Sequence, residues 1–251
     1  MKAIRKKLKV ICNKEIAPKH FLLILETNEN VEVRPGQFLQ LSLNEDVQFL
    51  RRPFSIFDYQ DGNIKILYKL RGKVTHKMTT LKKSNVVDVI FPLGNYFPQP
   101  DKKNVIFISG GTGFAPLHFL AKELIKEKTM LTLKFFIGSK SKEVKAFSEF
   151  LPDNTEVELI TEDGSVGKKG IVTEFISEIN GCIYSAGPIE MLRAIYEKIK
   201  SKNSAYFSFE SHFACGVGFC WGCVLPTQKG LLRICKEGPV FSPEIVLWER
   251  I

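Results

Sequence analysis

Four of the six cysteines in the 251-residue chain gather near its C-terminal end. Cys215, Cys220 and Cys223 have the spacing C-x4-C-x2-C in CGVGFCWGC, and Cys235 follows with eleven residues between it and Cys223. Thiolates grouped in this way hold soft metals, and C-x4-C-x2-C is how plant-type [2Fe–2S] sites open. Glycines at 216, 218 and 222 leave the loop free to wrap a cluster and to aim backbone N–H groups at its sulfurs. Tetrahedral zinc is the alternative, because Cys220 and Cys223 form a C-x2-C knuckle. Zinc sites more often use two such knuckles, and this chain has one. Cys12 and Cys182 stand alone in strand-like segments and are expected to be small buried hydrophobes.

A second group of residues suits a flavin. FLRRPFSIFD contains Arg52, Pro53, Phe54 and Ser55. A guanidinium pairs bidentately with pyrophosphate. On a strand, Arg52 and Phe54 share one face while Pro53 and Ser55 share the other. The Ser55 hydroxyl or backbone N–H is then placed to bond the edge of the flavin ring where a hydride arrives, which makes it the catalytic candidate. A third group suits a dinucleotide. NVIFISGGTGFAPL is a strand, a turn of Gly110, Gly111, Thr112 and Gly113, and the start of a helix. Glycines let backbone approach a phosphate, and a helix N-terminus favours the anion. The turn is not G-x-G-x-x-G, but YSAGPIEML repeats the arrangement with Gly187 and Pro188. Two such turns at strand C-termini mark where open α/β sheets bind nucleotides.

The elements that must position these residues fall into three stretches. Residues 1–98 contain short strands (HFLLILET, QFLQLSL, NIKILYKL, NVVDVIF) separated by RPG, DG and PLGN, with a short helix near THKMTTLKK. This predicts an antiparallel β-barrel or sandwich. Residues 99–204 alternate strands with helical segments, among them PLHFLAKELIKEK, GIVTEFISEI and PIEMLRAIYEKIKSK, which predicts a parallel sheet in an α/β domain. Pro116 and Pro188 sit where first helical turns begin. Residues 205–251 form the small cysteine-bearing segment.

The composition, 44% hydrophobic and 25% charged, is that of a globular chain. No apolar run reaches the roughly 20 residues of a membrane span, and no signal-peptide core follows the basic start. A cytoplasmic chain is expected, where clustered cysteines bind metal rather than form disulfides. The net charge of +9 is spread as scattered lysines with no nucleic-acid motif, so no nucleic-acid partner is expected.

Taken in order, R-x-[YF]-S, GGTGFAP and a late GP resemble the ferredoxin–NADP reductase superfamily, in which a barrel binds FAD and an α/β domain binds NAD(P). With RRPFSI, PLGNYF, TEDGSVGKKG, FACGVGFCWGCVLP and CKEGPVF added, the chain resembles the electron-transfer subunits of two-subunit, NAD-linked dihydroorotate dehydrogenases over its whole length. The resemblance implies FAD held by Arg52, Pro53, Phe54 and Ser55. It also implies that Leu67, Tyr68 and Lys69 flank the ribityl and adenosine portions, and that Val74 and Thr75 lie in the phosphate turn. It further implies NAD as substrate and a [2Fe–2S] cluster on Cys215, Cys220, Cys223 and Cys235. The implied partner is an FMN-containing catalytic dihydroorotate dehydrogenase subunit in a heterotetramer, serving pyrimidine biosynthesis. Nothing in the chain looks like a dihydroorotate site.

Three positions depart from the family pattern. Gly72-Lys73-Val74-Thr75 replaces G-K-G-T, and a valine takes positive φ only at a cost. Lys69 stands for arginine, and Ala186 for a frequent cysteine. The small subunits of NADH-dependent ferredoxin:NADP oxidoreductase and sulfide dehydrogenase share the architecture and remain alternatives. So does a non-catalytic regulator that binds zinc and nucleotide. Ser139, Lys140 and Ser141 are candidates to meet a 2′-phosphate, leaving NAD against NADP open, and Phe219 and Trp221 are candidates for a docking surface.

Overall fold

The structure is a computed structural model that describes residues 3–29, 31–43, 50–127, 130–176, 179–199 and 204–251. The first seven strands are β1 (Ile4–Ala17), β2 (His20–Glu26), β3 (Phe38–Ser42), β4 (Arg52–Ser55), β5 (Asp58–Gln60), β6 (Asn63–Lys69) and β7 (Val86–Leu93). They form one antiparallel sheet in the order β4-β3-β7-β1-β2-β6-β5. Alternate residues point inward, so Leu8, Val10, Leu23, Leu25, Leu39, Leu41, Ile64, Ile66, Val87 and Val89 build the core of this unit. The sheet curls until its ends meet. Ile56 N–H donates to Gln37 O beside β3, and the next residue, Phe57, donates to Lys65 O on β6. The expected barrel is thus formed, with a short helix, α1 (Lys73–Met78), between β6 and β7.

β1 was not legible in the sequence. Its 14 residues pair with β7 through the first half and with β2 through the second, bending at two register shifts. One face is solvated and lysine-rich, so only Leu8 and Val10 are buried and little apolar alternation reaches the sequence.

The second sheet contains β8 (Asn104–Gly110), β9 (Thr132–Ser139), β10 (Glu156–Thr161), β11 (Lys168–Lys169), β12 (Cys182–Ala186) and β13 (Ser204–Ser208). Its order is β11-β10-β9-β8-β12-β13, parallel throughout. Helices α2 (Phe114–Lys126), α3 (Glu143–Ser148) and α4 (Ile189–Lys198) connect the strands. Pro116 lies in the first turn of α2, and Pro188 immediately precedes α4. GIVTEFISEI, expected to be helical, is a 3-10 turn over Val172–Phe175, with residues 177–178 outside the described set. A Cβ at Gly138 would come 2.8 Å from Val172 Cβ, so this stretch is pressed onto the end of β9. The short α3 gave no periodicity to read.

The C-terminal segment forms a hairpin, β14 (Val224–Thr227) with β15 (Gly230–Arg233), and then β16 (Val240–Phe241). β16 pairs antiparallel with β13, which extends the second sheet beyond residue 204. The segment is also fastened to the barrel. Asn95 Nδ2 donates to Glu237 O at 2.8 Å and Val240 O at 2.7 Å, while Val240 N–H donates to Asn95 Oδ1 at 2.9 Å.

Barrel and sheet share a core in which Leu22, Phe57, Leu67 and Phe97 of the barrel pack with Phe114, Leu117 and Leu120 of the α/β unit. Beside it, the buried Asp58 carboxylate accepts from Lys65 on β6 at 2.7 Å and from Lys122 on α2 at 2.7 and 2.9 Å. Among the described residues no helix is long and apolar enough to cross a membrane.

Candidate functional site

A cavity of about 630 Å³ runs along the barrel where it faces the second sheet. Its walls include Arg52, Pro53, Phe54 and Ser55 of β4, Leu67, Tyr68 and Lys69 of β6, and Val74 and Thr75 of α1. Thr112 of the glycine turn closes one side. Alternation along β6 divides the work: Leu67 packs into the core shared with the α/β unit, whereas the Tyr68 ring belongs to the barrel interior. That ring stacks on Phe21 at 5.3 Å and meets Phe54 edge-on at 6.2 Å. Its hydroxyl donates to Asn13 Oδ1, and burial pushes its pKa up to about 12.

Val74 needs no positive φ. It is a buried residue inside α1, whose N-cap is Gly72 in extended conformation. Thr75 Oγ1 accepts the N–H groups of Arg71 and Gly72 at 2.9 and 3.0 Å and donates to Gly72 O, so its hydroxyl holds the turn together. One terminal nitrogen of the Arg52 guanidinium donates to the carbonyls of Leu50 and Arg51.

A second cavity, of about 480 Å³, lies over the C-terminal edge of the second sheet and is lined by Gly110, Gly111, Thr112, Gly187 and Pro188. Gly113 lines neither cavity; it is buried where a Cβ would overlap the Ala186 carbonyl, and lets the turn close on β12. Ser139 and Lys140 line the far end, and Glu162 stands with them. The two cavities share Lys69, Arg71, Thr112 and Glu210. Arg71 and Glu210 were missed in the sequence. Glu210 opens onto both cavities, yet the protein packed around it raises its pKa, with the Arg71 charge opposing. Its only sequence signal is its place in FESHFAC, just ahead of the cysteines.

The four cysteines come together beside the first cavity as two pairs. Cys215 lies beside Cys220, and Cys223 beside Cys235, close enough for Cys220 to shift the ionisation of Cys215 and Cys223 that of Cys235. Among the described residues no three His, Cys, Asp or Glu side chains converge on the position of a single ion. Sulfurs paired in this way suit the two irons of a [2Fe–2S] cluster. Backbone N–H groups are aimed at the sulfurs: Gly218 at Cys235, Phe219 and Cys220 at Cys215, and Cys235 at Cys223, over 3.1 to 3.4 Å. Burial opposes ionisation of Cys215, but N–H donation from Val217, Cys220 and Phe219 outweighs it and brings the thiol down to about 6. Burial and the neighbouring Cys223 push Cys235 up to about 12. Gly216 and Gly218 have φ of +67° and +82°, as the wrapping loop requires. Cys220 is exposed, as are Phe219 and Trp221, with Arg233 lying over the Trp221 ring at 4.4 Å. Of the two isolated cysteines, Cys182 is buried as expected and Cys12 only half-buried.

Residues 210–247 match the family model of the iron-sulfur cluster binding domain of dihydroorotate dehydrogenase B. The electron transfer subunit of dihydroorotate dehydrogenase B (NAD(+)) from Caldanaerobacter subterraneus subsp. tengcongensis is 34% identical over 250 residues, covering 96% of this chain and 98% of that one. The same subunit from Streptococcus pneumoniae R6 is 34% identical over 251 residues, covering 96% and 97%. The chain belongs to the family of dihydroorotate dehydrogenase B electron transfer subunits.

The fold of these subunits extends to more distant proteins. A solved NADH-dependent reduced ferredoxin-NADP oxidoreductase superposes with a TM-score of 0.84 at 24% identity, covering 97% of this chain and 90% of that one. A ferredoxin NADP+ reductase from Neisseria gonorrhoeae, solved with bound FAD and NADP, has a TM-score of 0.69 at 14% identity, covering 82% and 99%. The residues present fit the groups such an electron transfer subunit needs. The paired sulfurs and converging N–H groups suit a dinuclear cluster, and the cavity of about 630 Å³ suits a flavin nucleotide.

Proposed function

We propose that this chain is the electron-transfer half of a dihydroorotate dehydrogenase, carrying electrons between a catalytic partner's FMN and NAD+ through its own [2Fe–2S] cluster and FAD. The observation that supports this most directly is the cysteine loop: two sulfur pairs, ringed by N–H donors, set against the wall of a flavin-sized cavity. Bound there, FAD would exchange a hydride with NAD(H) on one side and single electrons with the cluster on the other.

The protein's part is to hold and orient. Ser55 stands at the cavity wall next to the β3 strand that meets the cysteine loop, where its hydroxyl or N–H orients the reacting edge of the flavin. Arg52 and Lys69 supply positive charge along the cavity, and Pro53, Phe54 and Leu67 give it apolar walls. Lys69, Arg71, Thr112 and Glu210 sit where the two cavities meet, so they position the nicotinamide against the flavin. Gly110, Gly111, Gly187 and Pro188 leave the approach that a dinucleotide phosphate needs. Cys215, Cys220, Cys223 and Cys235 ligate the cluster. The chain is read as an FAD barrel over residues 1–98, an NAD domain over 99–204 and a cluster segment over 205–251, the last containing the matched residues 210–247. The exposed Phe219 and Trp221 beside it form the docking surface for the catalytic subunit, since aromatic side chains are enriched at interfaces. Six unpaired cysteines fit a reducing cytoplasm.

Visible and EPR spectra of anaerobically purified protein, before and after NADH, test this reading. Flavin bands that bleach and a reduced [2Fe–2S] signal are expected, with dihydroorotate-dependent NAD+ reduction only once an FMN-containing catalytic subunit is added. A colourless zinc protein that ignores NADH after reconstitution with FAD, iron and sulfide would overturn it. A partner bearing several [4Fe–4S] clusters would point instead to the ferredoxin:NADP oxidoreductase type.

A further inference from the structure

Gln40 is explained neither by a cavity lining nor by the barrel core. It lies in the middle of β3, fully buried, and neither its carboxamide nitrogen nor its oxygen has a hydrogen-bond partner. Amides are rarely left so, because burying one without partners is costly. Strand geometry fixes where this one points. Gln40 pairs with Pro53, and Phe38, two residues earlier, pairs with Ser55. Directly paired residues share a face, so these four side chains form one patch. The chain leading into the cysteines lies on that patch. Phe213 packs on Phe38 with ring centroids 5.1 Å apart, and Gly216 meets the Gln40 carboxamide so closely that a Cβ there would overlap it. Phe38, Pro53 and Ser55 line the larger cavity. Gln40 therefore stands beside the cavity wall, directly across from Pro53, and against the residue that follows Cys215.

We propose that the Gln40 carboxamide donates a hydrogen bond to the iron–sulfur cluster and so raises its reduction potential. This rests on the reading that the four cysteines hold a [2Fe–2S] cluster. Reduction adds one negative charge to the cluster. A fixed N–H donor in a dry site stabilises the reduced form more than the oxidised one, and hydrogen bonds to the sulfurs are one of the levers that set such potentials. The backbone donors reach the cysteine sulfurs from within the loop itself, whereas Gln40 reaches from the barrel, on the side of the flavin. It is thus a tuning contact placed between the two redox groups.

Gln40→Met keeps the length of the side chain and removes its donor. An EPR-monitored redox titration of the FAD- and cluster-loaded protein is expected to give a more negative potential and altered g-values, with faster loss of iron to a chelator. In iron-free protein the same substitution is expected to raise the thermal midpoint, since an unpaired amide disappears. A purely structural role moves the two states in the same direction. A Met variant with the potential and g-values of the unsubstituted protein would overturn the proposal. Should that variant fail to fold, Gln40→Leu decides by the same titration. Absence of a [2Fe–2S] signal from the unsubstituted protein would instead remove the cluster reading, and the proposal with it.

Discussion

Gly111 and Gly113 stand two residues apart in one turn and are needed for different reasons. Gly111 has φ of +54° with open space where a Cβ would go, whereas Gly113 has an ordinary φ of −58° and no space at all. Gly111→Ala should cost about 1 kcal/mol, the strain of an L residue in the left-handed region. Gly113→Ala must push the turn away from the Ala186 carbonyl, and is expected to weaken NAD+ binding at least tenfold and to lower the thermal midpoint further than Gly111→Ala. Calorimetric titration with NAD+ and thermal unfolding of the two variants would separate them; equal effects would mean that close approach is not what Gly113 provides. The sequence showed that glycines were needed here but not which need applied to which, because the contact with β12 comes from Ala186, 73 positions further along the chain. The same limit hid Gln40, whose neighbour Gly216 is remote in the chain. The cysteines were legible because their spacing is local. Val74 shows the converse: a departure that looked costly for a loop is harmless because the backbone there is helical.

At the scale of elements, the sequence motifs PLGN and KEGPVF turn out to be two halves of one joint. Gly94, at φ +76°, lies so near Pro239 that a Cβ would stand 2.7 Å from its Cδ, and Asn95 makes its three bonds to Glu237 and Val240. This joint bolts the cluster segment to the barrel that would hold the flavin. Asn95→Ala should destabilise the protein by about 2 kcal/mol, because backbone groups of the cluster segment lose their partners. Iron should be released to chelators faster than FAD is released; simultaneous loss of both would mean that Asn95 supports the whole barrel instead. Elements with strong apolar patterns, such as β2, β6, β8 and α2, were legible. The lysine-rich β1 and the segment around Val172 were not, since each takes its form from what it packs on rather than from its own periodicity.

The relation between the two cavities depends on the interface between barrel and sheet, and that interface contains a group poorly suited to acid. The His118 ring of α2 stacks on Phe57 of the barrel at 4.2 Å and is surrounded by Phe114 and Phe150, with its Nδ1 buried and unpartnered. Burial brings its pKa down to about 4, with Asp58 opposing and Lys122 and Lys65 assisting. The unfolded chain takes up a proton near pH 6.5, but the folded chain does so only near pH 4. Stability from a neutral His118 is therefore whole above about pH 6.5 and lost as pH falls toward 4, amounting to about 3 kcal/mol. Asp58 has the same sign lower down: burial opposes its ionisation, but Lys122 and Lys65 outweigh it and hold its pKa below the usual value, so its contribution goes only as pH falls through the carboxylate range. The two are separable. Urea unfolding of His118→Phe, which preserves the aromatic stack, should lose much of the slope between pH 6.5 and 4, the rest belonging to His20, whose burial also lowers its pKa, while retaining any fall below it. Asp58→Asn should be weakened at neutral pH, leaving two lysines without their shared carboxylate. Because Lys69, Thr112 and Glu210 meet only when barrel and sheet are docked, NADH-driven flavin reduction should decline over the His118 range in the unsubstituted protein and persist to lower pH in His118→Phe. An unchanged acid limb in that variant would place the sensitivity elsewhere than the domain interface.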